Sequence, residues 1–298
     1  MGRQLEYHNS GFRKLKSNVF ISNDIIWNET DGRTKITKWV SDYEKACPMG
    51  ITTSFTPLIG EKKTWHPLYI NRYVSIDRLL EDIKHNQITF LSPELWTDPF
   101  ESIFYNKELE IEDKPIDIRC ICTTYDYVYN EEAAWNRASN KEHTVRASYN
   151  FSTFCEMLNN VGEKQLCTFY LSVVDYSQSK DNLIKKNANK YTNVGDYIKE
   201  MSLKRKGFAY ENELRIFAVF GESNFLSKKV VPFELCGVNY KDIIHHITLP
   251  PLEPNKDINE VCDYDKLQDA KNLPIRNVLR AYLNDVKIEE SRLYTIKK

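Results

Sequence analysis

Residues 210–215, with the sequence Tyr-Glu-Asn-Glu-Leu-Arg, bring two carboxylates and a guanidinium to the start of an apolar run at residues 216–220. The run predicts a buried strand, and alternation along a strand places Glu211, Glu213 and Arg215 on one face. Two such glutamates suit a catalytic edge, where one carboxylate stabilises positive charge developing on a sugar and the other orients a second substrate. The alternative is a solvated strand end, in which Arg215 neutralises one glutamate.

Other strands must position partners for these carboxylates. Strands are predicted at residues 68–73, 88–91, 116–123, 166–174 and 243–249, and helices after Ser75, at residues 152–161, around residues 194–206 and at residues 274–286, where Pro274 sits at the helix start. Strands and helices do not alternate strictly, and no repeat is visible. We therefore expect an α+β fold, a mixed, mainly antiparallel split sheet with a few short flanking helices. Residues 1–64 are predicted to be an N-terminal extension packed on a main domain, residues 65–298.

Composition excludes several classes of protein. The 298 residues contain 41 basic and 42 acidic side chains, so a net charge of −1 gives no global sign of a nucleic-acid or membrane partner. No apolar run is long enough to span a bilayer and no signal peptide is evident, so we predict a cytoplasmic protein without a membrane partner.

Metal binding is not predicted from the cysteine and histidine content. Seven cysteines are scattered without zinc-ligand spacing, and we expect reduced, mostly buried thiols. Among the six histidines, the adjacent pair His245 and His246 is the closest to a ligand pattern, but on a strand the two rings would point to opposite faces.

Several short motifs together carry a family resemblance. They are Tyr69 and Arg72 in a Tyr-x-x-Arg strand, Ser92-Pro93, the loop Asp98-Pro99-Phe100-Glu101, Trp135 followed by His143, and the Tyr-Glu-x-Glu-x-Arg strand that starts at Tyr210. Over roughly residues 66–250, the chain resembles a bacterial family known as domain-of-unknown-function family twenty-nine seventy-one. The loop and the last strand are the most specific of these motifs.

The layout of that family is in turn similar to the ADP-ribosyltransferase fold. The resemblance implies NAD as a substrate, with Arg72 at the early basic position, Thr123 or Thr124 at the hydroxyl position of the middle strand, and Glu213 as the late glutamate. Glu211 then becomes the second catalytic carboxylate. The sequence departs from that pattern where Cys122 replaces the first serine of the middle strand and both hydroxyls belong to threonines.

Further residues are candidates for contacts with the nucleotide. The same resemblance places Tyr69, Trp135 and His143 among the cofactor-binding residues. Trp135 could stack on a flat ring or only anchor local packing. His143 could contact a phosphate or be merely solvated.

Another set of candidates would contact the acceptor. Tyr210 and Arg215 are predicted to line the substrate side. Lys206 belongs to a short basic cluster that could steer a nucleic-acid or protein acceptor, or could simply be a solvated helix end.

Three functions remain open from the sequence. The resemblance implies an NAD-dependent ADP-ribosyltransferase or NAD glycohydrolase in a bacterial toxin or anti-phage defence setting. The alternative is a non-catalytic defence module that senses a nucleotide or a phage component. A metal-independent nuclease that uses Glu211, Glu213, His143 and Lys206 is a third hypothesis.

Overall fold

The structure of the chain is a computed structural model. It describes residues 11–22, 25–28, 33–36, 69–96, 98, 101, 105, 110–111, 114–125, 134–135, 143–177, 191, 193–221, 228–252, 261–291 and 293. The strands are β1 (Phe12–Lys16), β2 (Val19–Ser22), β3 (Ile25–Asn28), β4 (Arg33–Ile36), β5 (Tyr69–Ser75), β6 (Gln87–Leu91), β7 (Glu110–Ile111), β8 (Lys114–Pro115), β9 (Asp117–Tyr125), β10 (Thr144–Asn150), β11 (Cys167–Val173), β12 (Glu213–Phe220), β13 (Val230–Glu234), β14 (Ile244–Leu249) and β15 (Lys287–Glu290).

Helices are fewer than strands in this part of the chain. They are α1 (Ile76–Lys84), α2 (Phe151–Gln165), α3 (Val194–Met201), α4 (Tyr240–Ile243) and α5 (Val261–Tyr282), with 3₁₀ turns at Pro93–Leu95 and Lys206–Glu211. None of the described helices is long and apolar enough to cross a membrane.

One large sheet organises the fold. Its strand order is β1-β2-β11-β12-β9-β5-β10-β14-β15, and β6 joins β9 from the side and carries β13. The pairs β2 with β11 and β14 with β15 are parallel, and the other pairs in this sheet are antiparallel. The predicted α+β class with a mainly antiparallel mixed sheet and few helices is therefore confirmed.

Strand β12 lies inside the sheet between β11 and β9, and all eight of its residues are buried. A strand covered on both faces reads as a continuous apolar run, as residues 216–220 do. The two faces of the strand contribute to different cores. Leu214 and Ile216 belong to a core with α2, whereas Phe217 and Val219 belong to a second core with α3. By alternation, the side chains of Glu213 and Arg215 share the α3 face.

Helix α2 shows how local sequence sets these layers. Asn150 caps it by accepting a hydrogen bond from the Thr153 backbone N–H, and the helix ends at Leu166, which has a left-handed φ of 54°. Its apolar stripe, which includes Phe154 and Leu158, is buried in the first core. Burial of such side chains contributes about 1.5–3 kcal/mol each.

The late helix begins earlier than predicted. Pro274 lies inside α5 instead of at its start. The proline is exposed, while Asn272 and Leu279 on the same helix are buried. Tertiary packing of the buried positions therefore holds the helix through a residue that removes one backbone hydrogen bond.

Part of the predicted N-terminal extension is built into the sheet. Strands β1 and β2 pair with each other, and β2 then pairs with β11 in parallel. Val19 and Ile21 are fully buried in the first core.

Candidate functional site

Three neighbouring strands carry one row of polar residues across the sheet. Glu213 on β12 lies opposite Thr124 on β9, and Thr124 lies opposite Asn71 on β5. Directly opposed residues share a face, so these three side chains stand side by side on the α3 face. The row lies where β9 leaves β6 and pairs with β5.

Two features of the backbone position the glutamates. The 3₁₀ turn Lys206–Glu211 ends at Asn212, which has a left-handed φ of 46°. Glu211 therefore lies at the end of a turn and not on a strand, so the predicted strand alternation of the two glutamates is wrong. The reversal at Asn212 nevertheless leaves both carboxylates beside Lys204. The backbone N–H of Glu213 donates to the hydroxyl of Tyr176 at 2.9 Å.

Lys204 is the central cation of the site. It follows α3, and its backbone N–H donates to the carbonyl of Asp175 at 3.0 Å. Its Nζ lies 2.7 Å from a carboxylate oxygen of Glu101, 2.5 Å from Glu211 and 3.2 Å from Glu213. Burial alone would lower the pKa of Lys204, but the attraction of these carboxylates raises it above the usual lysine value.

Arg215 is the second cation. Its Nε donates to Glu213 at 3.0 Å, and its Nη2 donates to Glu101 at 2.7 Å. Its Nη1 donates to the backbone carbonyl of Met201. The guanidinium carbon lies 4.3 Å from the ring centroid of Trp96. Burial opposes the charged form, but Glu213 and Glu101 raise the pKa of Arg215 well above its usual value.

These five side chains form a buried ion cluster, defined here as Glu101, Lys204, Glu211, Glu213 and Arg215. Each is at most 6% exposed. Three carboxylates against two cations leave a formal charge of −1. Burial of such a cluster costs free energy, and the folded protein is strongly destabilised when one of the charged partners is removed.

A cavity of about 170 Å³ adjoins the cluster. Its lining residues are Asn71, Tyr73, Cys122, Thr123, Thr124, Ala134, Glu211 and Glu213. The hydroxyl oxygen of Thr124 is shielded from solvent and has no hydrogen-bond partner among the described residues. Asn71 accepts a hydrogen bond from Ser148 at 2.5 Å, which leaves its amide nitrogen available as a donor.

Thr123 and Thr124 are not equivalent. Thr123 also borders the cavity, but its hydroxyl donates to the carbonyl of Leu214 at 2.7 Å. That hydrogen bond belongs to the fold. Of the two threonines that the sequence left open, Thr124 is therefore the one whose hydroxyl can serve a ligand.

Arg72 lies outside this site. Its neighbours Ile70 and Val74 belong to the first core, on the face of the sheet opposite Glu213. The guanidinium contacts Asp82 at 3.4 Å and donates to the carbonyl of Thr89 at 3.3 Å. Arg72 and Glu213, which the resemblance assigned to one NAD site, therefore lie on opposite faces of the sheet, because strand alternation turns Asn71 and Tyr73 to the cavity instead.

Two of the other predicted contact residues have clear places in the structure. Trp135 is fully buried and stands edge-on to Tyr73, with ring centroids 4.9 Å apart, so it supports a wall of the cavity. Tyr69 lies away from the cavity lining, and its hydroxyl is 3.2 Å from the ring nitrogen Nε2 of His245.

The remaining predicted residues do not meet at the cavity. His143 and Lys206 are exposed, and neither is among the lining residues. Arg215 is part of the buried ion cluster. The side chain of Tyr210 lies outside the described residues.

Four residues at the site were missed by the sequence reasoning. Asn71 and Tyr73 flank the Arg72 that was chosen, and Glu101 and Lys204 enter from distant segments. A signal existed for the last two, since Glu101 closes the Asp-Pro-Phe-Glu loop and Lys204 opens the basic cluster. Neither signal said that the two side chains would meet.

Comparison with protein-family models, curated proteins and solved structures finds no match to this chain. Within the described part of the chain, no group of three or more His, Cys, Asp or Glu side chains is arranged to hold a metal ion. The family resemblance thus stays a prediction, and the function must be argued from the geometry of the site.

Proposed function

We propose that this chain is an NAD-dependent ADP-ribosyltransferase or NAD glycohydrolase-like enzyme. The observation that supports it is the row of Asn71, Thr124 and Glu213 on an early, a middle and a late strand that are neighbours in the sheet. The row opens on a cavity whose edge carries a second glutamate, Glu211. A bacterial toxin or anti-phage defence setting goes with this proposal by resemblance alone.

The reaction would break the bond between the ribose C1′ and the nicotinamide nitrogen. The bonding electrons leave with the nicotinamide, and the ribose becomes oxocarbenium-like until water or an acceptor attacks C1′. A site with a fixed excess of negative charge stabilises that state more than the ground state. The formal charge of −1 on the buried ion cluster, held next to the cavity, supplies such a field.

The residues have distinct roles in this proposal. Both carboxylate oxygens of Glu213 contact Arg215, and one also contacts Lys204, so Glu213 is rigidly oriented. Glu211 shares Lys204 with Glu213, and both glutamates line the cavity. The two glutamates would stabilise the ribose cation, while Thr124 and the amide of Asn71 hydrogen-bond the ribose or the carboxamide.

The cavity volume limits which part of NAD it holds. An apolar cavity of about 150 Å³ accepts one benzene molecule. A volume of about 170 Å³ would therefore be enough for the nicotinamide ring and its glycosidic bond, but not for the whole dinucleotide. The pyrophosphate and adenosine would lie outside it, and Arg72 is not proposed as their partner. NAD enters as a substrate, and the proposed chemistry uses no metal.

Release of nicotinamide from NAD by the purified protein tests the proposal. Glu213→Gln and Glu211→Gln are expected to reduce turnover about 10²–10³-fold. Glu156→Gln is the matched control, because Glu156 is exposed and pairs only with Lys16 among the described residues. Absence of nicotinamide release by wild type, or equal turnover in all three variants, would remove the enzymatic proposal.

A second candidate is the non-catalytic sensing module. Both carboxylate oxygens of Glu213 already accept hydrogen bonds from Arg215 or Lys204. This favours the sensing module, since such a carboxylate suits a structural role better than a catalytic one. A saturable rise in melting temperature with NAD or another nucleotide, without turnover, would support this function instead. The nuclease hypothesis is not proposed, because the structure keeps His143 and Lys206 out of the cavity that the two glutamates line.

A further inference from the structure

A β-bulge brings His245 and His246 together. In the β10–β14 ladder Ser148 lies opposite His246, but Tyr149 lies opposite Ile244, so His245 is the extra residue of the bulge. A bulge re-aims the side chain it carries. The Nδ1 atoms of the two rings are consequently 2.8 Å apart, with the rings nearly perpendicular. The expectation that the pair would point to opposite faces is wrong.

At its other nitrogen, the His245 ring has a hydrogen-bond partner and the His246 ring has a nearby carboxylate. The Nε2 of His245 is 3.2 Å from the hydroxyl of Tyr69, whose ring packs against it at a tilt of 32°, with centroids 4.3 Å apart. The Nε2 of His246 is 3.5 Å from a carboxylate oxygen of Glu289 on β15. Metal-bound histidines characteristically donate the N–H of the second nitrogen to such a partner, which fixes the tautomer. In the metal-free protein the Nδ1···Nδ1 contact is a hydrogen bond, so one Nδ1 carries a proton. A metal ion would replace that proton: with both Nε2 atoms protonated, both Nδ1 atoms are left as electron-pair donors.

We propose that His245 and His246 form a two-nitrogen site for a divalent transition-metal ion that prefers tetragonal coordination, namely Cu²⁺ or Ni²⁺. The Nδ1 separation of 2.8 Å favours this geometry. With metal–nitrogen bonds of about 2.0–2.1 Å it corresponds to an angle of about 90° at the metal, whereas a tetrahedral zinc ion requires a nitrogen separation of about 3.3 Å.

The surroundings set how tightly the ion is held. His245 is exposed, which gives access, while His246 is partly buried. Arg146 on β10 and Lys287 on β15 oppose a cation, although Lys287 is paired with Glu289 at 2.6 Å. Two protein ligands leave the other coordination positions to water or an added donor. We therefore expect a site of moderate affinity.

Calorimetric titration of the metal-free full chain with Ni²⁺ tests the site, and the Cu²⁺ form is examined by electron paramagnetic resonance. One ion per chain is expected, with nitrogen coupling in the copper spectrum. His245→Gln and His246→Gln should each weaken binding more than tenfold, and Tyr69→Phe, which removes an outer hydrogen-bond partner, about tenfold. His85→Gln is the matched control, because His85 is exposed and only its backbone closes α1.

Two results would overturn the proposal. One is the absence of saturable binding by wild type at equimolar ion. The other is binding and nitrogen coupling that persist in both His245→Gln and His246→Gln, which would assign the ion to thiols or to another site.

Discussion

Thr123 and Thr124 are adjacent on β9, and the same substitution is expected to change stability in opposite directions at the two positions. The Thr123 hydroxyl donates to the Leu214 carbonyl at 2.7 Å, whereas the Thr124 hydroxyl is shielded from solvent without a hydrogen-bond partner among the described residues. Valine has nearly the shape of threonine and lacks the hydroxyl. The pair Thr123→Val and Thr124→Val therefore isolates what each hydroxyl does.

The magnitudes follow from the two environments. Loss of the hydrogen bond from Thr123 costs about 0.5–1.5 kcal/mol. Burial of an unsatisfied hydroxyl costs about 1–3 kcal/mol in protein mutational data, so Thr124→Val recovers part of that amount. We expect Thr123→Val to destabilise the protein by about 1 kcal/mol and Thr124→Val to stabilise it by about 1 kcal/mol. For a chain of this size, each corresponds to about 2 °C in melting temperature.

Activity should follow the opposite order. If the Thr124 hydroxyl binds the ribose or the carboxamide, Thr124→Val reduces nicotinamide release from NAD about tenfold although the protein is more stable. Thr123→Val should leave turnover near that of wild type. Melting curves and a nicotinamide assay on the two variants measure both effects. A Thr124→Val protein that melts below Thr123→Val, or that keeps full turnover, would refute the reasoning.

Three further changes have expected outcomes. Lys204→Met leaves three buried carboxylates with one cation and should lower the free energy of unfolding in urea by about 3–5 kcal/mol. A decrease below about 1 kcal/mol would show that the charges of the buried ion cluster do not depend on Lys204. Arg72→Lys should lower stability, because a lysine cannot reproduce the contacts with Asp82 and Thr89, yet should leave the KM for NAD unchanged; a raised KM would return Arg72 to the site. Pro274→Ala should raise the free energy of unfolding by about 1–3 kcal/mol, since the exposed proline interrupts α5; an unchanged unfolding curve would argue that the proline already fits its helix without strain.

The sequence was sufficient for the fold class and for part of the sheet, but not for β1, β2, β10, β13 or β15, which were not predicted as strands. Strand β12 was predictable because its apolar run is long and unbroken, and the polar residues before it marked the site. The face that each side chain of β5 takes was not predictable. Its apolar residues Ile70, Tyr73 and Val74 do not alternate strictly, and a shift of one residue exchanges Arg72 for Asn71.

Contacts between distant segments were beyond sequence reasoning. Glu101 meets Arg215 across 114 positions of the chain, and nothing local to either residue specifies that contact. The bulge at His245 is likewise set by its pairing with β10 and not by the residues around it. The left-handed Asn212 is a different case, because it is a local backbone feature: it ends the turn before β12 and keeps Glu211 off the strand.

Strand β2 has a practical consequence for work on fragments. It covers the outer side of β11 and buries Val19 and Ile21 there. A fragment that begins at residue 65 would leave the backbone groups of β11 that face β2 without partners, although the pairing with β12 remains, and would expose apolar side chains on that side to water. Exposed edge strands of this kind pair with the same strand of another chain. The shortened protein should therefore precipitate or form oligomers, and biochemical work is better done with β1 and β2 present.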